Sequence, residues 1–174
     1  RYVGLDAHSK NCVFVIEDEN GAVVGQGQVP TTPEGLLLMR SRYGLPPGTP
    51  VALETGTMAF FVARHLMAME FKPVVVDARE VRMKASRPTQ KSDRRDALEL
   101  CEGLRRGIYR AIVHVPPPSI TLLRETLGRR RHFVRLKTMQ VNAAKRLLRA
   151  AGLGALGRSL RTEAAWDKLV AALA

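Results

Sequence analysis

Four carboxylates in this chain have types and spacings that could do chemistry: Asp6, Glu54, Asp93 and Asp96. The last two lie in Lys91-Ser92-Asp93-Arg94-Arg95-Asp96-Ala97, inside one of the most basic stretches of the sequence. A helix there would set them at i and i+3, on one face. Asp6 closes one short β-rich run and Glu54 closes another. Carboxylates gathered in this way suit Mg2+, a hard cation that takes a few carboxylate oxygens together with water and substrate phosphate. Two such ions about 4 Å apart stabilise the attacking and leaving oxygens of a phosphoryl transfer. Basic neighbours would hold a nucleic-acid backbone beside them. Plainer duties compete for the same residues. Asp6 could be a turn residue, and Glu54 could cap the helix that follows it. Asp93 could be an N-cap with Asp96 in the favourable first turn, worth about 1 kcal/mol together and compatible with metal binding. Asp77, also at a strand end, qualifies by position alone and is the decoy.

The elements that must bring these residues together can be read from the pattern. Residues 2–6 (YVGLD), 12–17 (CVFVIE) and 22–29 (AVVGQGQV) predict three antiparallel strands, with an Asn20-Gly21 turn signal before the third. Thr31-Thr32-Pro33-Glu34 starts a helix. Residues 50–55 and 73–77 predict buried strands on either side of a helix over 57–70, a parallel βαβ unit with a right-handed crossover. The first and fourth strands then lie side by side. Their carboxyl ends are where an open α/β sheet holds its ligands. Residues 79–92 read as an exposed loop and 93–106 as a helix.

After Pro116-Pro117-Pro118 one long helix is predicted over 119–150. Ile120, Leu127, Val134, Val141 and Leu148 recur every seven residues, with Leu123 and Ala144 at the complementary positions, which is a coiled-coil-like seam. Arg130 and Lys137 interrupt its second row. Gly152, Gly154 and Gly157 then mark a break before a short amphipathic helix around Trp166. The expected division is a catalytic domain over 1–110, a linker and long basic helix over 111–151, and a short helical segment over 152–174.

The formal net charge is +12, and its distribution says more than its size: residues 1–78 carry −2 and residues 79–174 carry +14. A near-neutral folded half joined to a strongly basic half points to a nucleic-acid partner. On the long helix nine Lys and Arg residues face a single acid, Glu125, whereas a solvated coiled-coil surface mixes signs. The candidate phosphate contacts are Arg79, Arg82, Lys84, Arg87, Lys91, Arg94 and Arg95, then Arg129, Arg130, Arg131, Arg135, Lys137, Lys145 and Arg146. A basic surface with no partner is the plain alternative. Cys12 and Cys101 read as buried reduced thiols. His8, two residues after Asp6, could sit near the site, but the reading preferred for it is a solvated turn residue; His65 and His114 read as structural, and His132 as part of the basic helix. No apolar run approaches the roughly 20 residues needed to span a bilayer, and no signal peptide is visible. A cytoplasmic location is expected. The chain starts with Arg1 rather than Met, so it is expected to begin inside something longer or to have lost its first residues.

The segments YVGLDAHS (2–9), VALETG (51–56), VVVDAREVR (74–82) and KSDRRDALEL (91–100) resemble the N-terminal domain of the DEDD-type insertion-sequence transposases, the bridge-RNA-guided recombinases of bacterial mobile elements. The resemblance covers about residues 1–151, because that family also follows the domain with a VPPP segment and a long basic helix. It implies a ribonuclease H-like (RuvC-like) mixed five-stranded α/β sheet with flanking helices, followed by the coiled-coil helix. It also implies that Asp6, Glu54, Asp93 and Asp96 are the four catalytic, metal-binding acids. Mg2+ is the implied ion, with Mn2+ as a substitute; DNA and a guide RNA are the implied partners, and the long helix would serve a homodimer or higher homo-oligomer. The family's C-terminal domain, with its nucleophilic serine, has no counterpart after residue 151, and no such role is given to Ser159. Three other functions compete: a Holliday-junction-type nuclease on the same fold, a non-catalytic nucleic-acid-binding dimerisation module, and a sugar-kinase-like ATPase. The last finds no support in this sequence, which shows no second Gly-rich phosphate loop and no second domain of that kind.

Overall fold

A computed structural model describes residues 1–85, 92–157, 160 and 162–173. The chain divides into two compact units, Arg1–Pro116 and Pro117–Ala174. In the first unit, strands β1 (Tyr2–Ala7), β2 (Asn11–Glu17) and β3 (Val23–Pro30) form an antiparallel meander. Strands β4 (Pro50–Glu54) and β5 (Lys72–Val76) extend it in parallel from the other side of β1. The result is a mixed five-stranded sheet of order β3-β2-β1-β4-β5, with β1 at its centre.

Local chemistry accounts for the punctuation. The Asp18 carboxylate accepts from the Asn20 and Ala22 amides at 2.9 Å, and Gly21 takes φ 88° to close the β2–β3 turn. Helix α1 (Pro33–Tyr43) begins with Thr32 accepting from the Gly35 amide at 3.1 Å and ends at Gly44 in the left-handed region.

Helices cover both faces of the sheet. Leu36 and Met39 of α1 and Val62, Ala63 and Leu66 of α2 (Ala59–Ala68) bury one face with Val3, Leu5, Phe14, Ile16, Val51, Leu53 and Val75. On the other face lie α3 (Ala78–Lys84) and α4 (Asp93–Arg105), where Val81 and Leu100 pack with Ala52, Val76 and Tyr109. Gly4 is why α4 can come so close. A Cβ there would meet the Ala97 carbonyl oxygen at 1.9 Å and the Cys101 amide nitrogen at 2.4 Å. Arg105 at the end of α4 ties back to the buried Glu17 of β2 at 2.9 Å.

The structure corrects one expected element. Residues 79–84 are helical rather than loop, because Asp77 caps α3 by accepting from the Arg79 amide at 2.9 Å. Asp77, the decoy among the strand-end acids, therefore has a capping duty. Inside α3 the buried Glu80 accepts from the Arg110 and Ala111 amides at 2.7–3.0 Å and binds the Lys84 ammonium. These bonds hold segment 108–113 along β5, where the Val113 amide donates to the Val75 carbonyl at 2.8 Å. The outer edge of β5 is thus covered at its carboxyl end, where Val76 also bridges Ile112.

The second unit is built on α5 (Pro118–Ala150), 33 residues long, and α6 (Glu163–Leu173). At 1.5 Å per residue α5 extends roughly 50 Å. Its apolar stripe has two fates. Val141, Ala144 and Leu148 pack with Leu160, Trp166 and Leu169. Ile120, Leu123, Leu127 and Val134, nearer the start, are exposed. No helix among the described residues is long and apolar enough to cross a membrane.

Candidate active site

Parallel pairing of β1 with β4 runs through Val3↔Val51, Gly4↔Ala52 and Leu5↔Leu53, so Asp6 and Glu54 come next on adjacent strands. Neighbouring strands lie about 4.8 Å apart. Side chains alternate along a strand, so Asp6 and Glu54 share a face with Gly4 and Ala52. That is the face on which α4 packs. Helix α4 starts at the same rim, and its first turn supplies Asp93 and Asp96. Two expected capping duties are corrected here. Ser92 rather than Asp93 is the N-cap of α4, its hydroxyl accepting from the Arg95 amide at 3.3 Å. Glu54 does not cap α2, whose N-cap is Met58 with no side-chain bond.

The tightest donor cluster includes a residue that sequence reasoning set aside. His8 Nε2 is 2.9 Å from Asp6 Oδ2 and 3.5 Å from Asp93 Oδ2. One ligand atom from each of Asp6, His8 and Asp93 lies within 4.8 Å of the other two. The backbone around His8 is pinned: its amide donates to the Asn11 carbonyl at 3.0 Å, and its carbonyl accepts from the buried Thr31 hydroxyl at 2.7 Å. His8 is therefore no free turn residue. Its place two residues beyond Asp6, at the end of an extended strand, is the signal that could have found it.

Asp6 sits in an environment that resists its charge. Burial pushes its carboxyl above the ordinary carboxylate range; His8 opposes that rise, while Asp96 and Asp93 add to it. Asp96 is thus close enough to be felt at Asp6, although it stands outside the three-residue donor cluster, as does the half-buried Glu54. Desolvated, crowded carboxylates of this kind are relieved by a cation.

The basic candidates fall into different settings. Arg79, Arg82 and Arg94 are exposed. The Lys84 ammonium is held by Glu80 and by the Ile108 carbonyl, so it serves the α3 fastening. Arg95 lies 3.5 Å from Glu99 and is partly buried. Arg87 and Lys91 lie outside the described residues. On α5, Arg129, Arg130, Arg131, Arg135, Lys137 and Arg146 are exposed and Lys145 is half-buried. Both thiols are buried and unpaired by disulfide, and burial pushes Cys101 up to about 12.

These features define a class: an α/β protein with an acidic site at the carboxyl end of the central strand of a mixed sheet. The family is equally plain. Residues 3–152 match the DEDD family of the IS110 type, described as "Transposase", and the chain belongs to that family. Its activity is accordingly that of a mobile-element transposase, and DNA is its partner. Comparison with curated proteins gave no match.

Proposed function

We propose that this chain carries the metal-binding half of a DNA cleavage and strand-exchange site on a ribonuclease H-like (RuvC-like) fold. The observation that carries the reading is the convergence of Asp6, His8 and Asp93 donor atoms within 4.8 Å at the end of the central strand. The donor set fits a divalent cation, since oxygen ligands from separate elements meet where burial and neighbouring acids raise the pKa of Asp6. Mg2+, with Mn2+ as a substitute, would be held by Asp6, Glu54, Asp93 and Asp96. When bound, the ion supplies charge stabilisation to the oxygens of the phosphoryl group.

The chain's own residues do the positioning. Asp6 is fixed on β1, and Ser92 turns the first turn of α4 so that Asp93 and Asp96 reach the same rim. The exposed Arg94 stands beside them to meet the substrate backbone, and the exposed arginines of α5 extend the phosphate contact. The same α5 serves guide-RNA binding and homo-oligomerisation along its apolar stripe, in the manner of a coiled coil.

The test is Mn2+ binding followed by electron paramagnetic resonance, together with strand cleavage in the complete recombinase with its guide RNA. Asp6→Asn, Glu54→Gln and Asp96→Asn should each abolish cleavage, and Asp6→Asn should abolish ion binding. Full activity in Asp6→Ala or Glu54→Ala would leave only a nucleic-acid-binding module. Hydrolysis of four-way junction DNA by this chain alone would instead favour a junction nuclease.

A further inference from the structure

The donor cluster mixes one nitrogen with its oxygens, and that mixture bears on which ion the site prefers. We infer that His8 is itself a ligand of the bound cation, and that its imidazole biases the site towards Mn2+ and the later transition ions over Mg2+. The inference rests on the metal site proposed above and names a property that an all-carboxylate site lacks.

Three observations carry it. His8 Nε2 is aimed at the carboxylates: it sits 2.9 Å from Asp6 Oδ2 and 3.5 Å from Asp93 Oδ2, between two side chains from different elements. Its position does not depend on those contacts alone, because the His8 amide and carbonyl are both tied down, to Asn11 and Thr31. Thr31 is buried, so the imidazole leaves from a fixed point. Finally, His8 Nε2 stands 2.9 Å and 3.5 Å from the two carboxylate oxygens, separations that ligand bonds of about 2.1 Å to a single ion can span.

Ligand softness then decides the preference. Mg2+ takes oxygen donors and gives up water reluctantly, so an imidazole adds little to its binding. Affinity for a site containing nitrogen rises from Mn2+ through Co2+ and Ni2+. A neutral His8 nitrogen would therefore widen the gap between Mn2+ and Mg2+ without adding charge.

The experiment measures ion affinity and ligand identity at one fixed pH, with no turnover involved. Mn2+ would be titrated into wild type, His8→Ala, His8→Gln and Asp6→Asn by electron paramagnetic resonance, with Mg2+ affinity read by competition. Electron spin-echo modulation would report nitrogen bonded to the bound Mn2+. Wild type should show nitrogen coupling that both His8 variants lose. His8→Ala should weaken Mn2+ about tenfold or more while changing Mg2+ by less than about threefold. His8→Gln, which offers an amide oxygen at similar reach, should likewise leave Mg2+ affinity near that of wild type and still lack the preference for Mn2+. Bound Mn2+ without nitrogen coupling, or an unchanged Mn2+ to Mg2+ ratio in His8→Ala, would overturn the role of His8 and leave the carboxylate site standing. Failure of wild type to bind Mn2+ would overturn both.

Discussion

A methyl group added at Gly4 would stand 1.9 Å from the Ala97 carbonyl oxygen, 2.4 Å from the Cys101 amide nitrogen and 2.9 Å from the Cys101 Cβ. Two of the three obstacles are backbone, so no side-chain rotation relieves them. Ordinary contact needs about 3.5 Å, and α4 would have to retreat by roughly 1.5 Å. Overpacking of this sort costs about 1–3 kcal/mol, and the backbone obstacles put Gly4→Ala at the upper end. For a unit of this size that is a fall in melting temperature of about 8–12 °C. Function should suffer beyond stability. Helix α4 carries Asp93 and Asp96, whereas Asp6 and His8 stay with β1, so the retreat opens the donor cluster by about the same distance. Metal ligands tolerate about 0.2 Å, so Mn2+ binding should fall at least about tenfold even well below the melting point. The assays are a thermal melt and a Mn2+ titration on the same preparation. Gly128→Ala, on α5 with nothing within 4 Å of the added Cβ, is the control and should stabilise by up to about 1 kcal/mol. A Gly4→Ala chain that melts within about 2 °C of wild type and binds Mn2+ equally well would refute the close packing of α4 as the device that sets the site.

Three further outcomes are expected. The Lys84 ammonium, with the amides of Arg110 and Ala111, holds the Glu80 carboxyl down to about 2 from an ordinary 4.5. A depressed carboxyl stabilises the fold above its unfolded pKa and stops doing so as pH falls through the folded value. Denaturant titrations should therefore show wild type well ahead of Glu80→Gln at pH 7, with the gap closing as pH falls from about 4.5 towards about 2; a pH-independent gap would contradict this. Leu160→Ala empties the fully buried centre of the α5–α6 cluster and should cost the second unit about 2–4 kcal/mol while the sheet unit melts as before, which segment-resolved hydrogen exchange would read. Replacing Arg129, Arg130 and Arg131 by alanine should flatten the salt dependence of DNA binding by about 0.9 in log–log slope for each phosphate no longer neutralised, and an unchanged slope would remove α5 from the interface.

The sheet was legible because its signals are local. Asn20-Gly21 announces a hairpin, two β-rich runs flank one helix, and the handedness rule then leaves β1 beside β4. The start of α4 was legible from its aspartates, but the cap belongs to Ser92, one residue earlier. Helix α3 was hidden by its Arg and Lys content, which masks apolar periodicity. Asp77 followed three residues later by Glu80 fits a helix start that the loop reading passed over, and Glu80 finds its partners some thirty residues along the chain, which no window reveals. His8 was noticed for its place two residues after Asp6 and then passed over, because nothing near it in sequence shows that Asp93 lies 3.5 Å away. The heptad pattern on α5 read as a single seam, interrupted in its second row by Arg130 and Lys137, and the sequence did not show that α6 covers only its last turns.

The central place of β1 divides the site into a permanent part and a releasable one. Asp6 belongs to the strand with a neighbour on each side, where amide exchange demands opening of the sheet, and His8 follows directly after that strand, tied to Asn11 and Thr31. Asp93 and Asp96 ride on a helix that lies against one face and meets the strand at a glycine. A local opening that frees α4 would dismantle the donor cluster while every strand stays paired. The free energy that keeps the site assembled is therefore that of docking one helix, smaller than the free energy of folding. Whatever grips α4 from outside, including nucleic acid lying along Arg94, would add its binding energy directly to the integrity of the site.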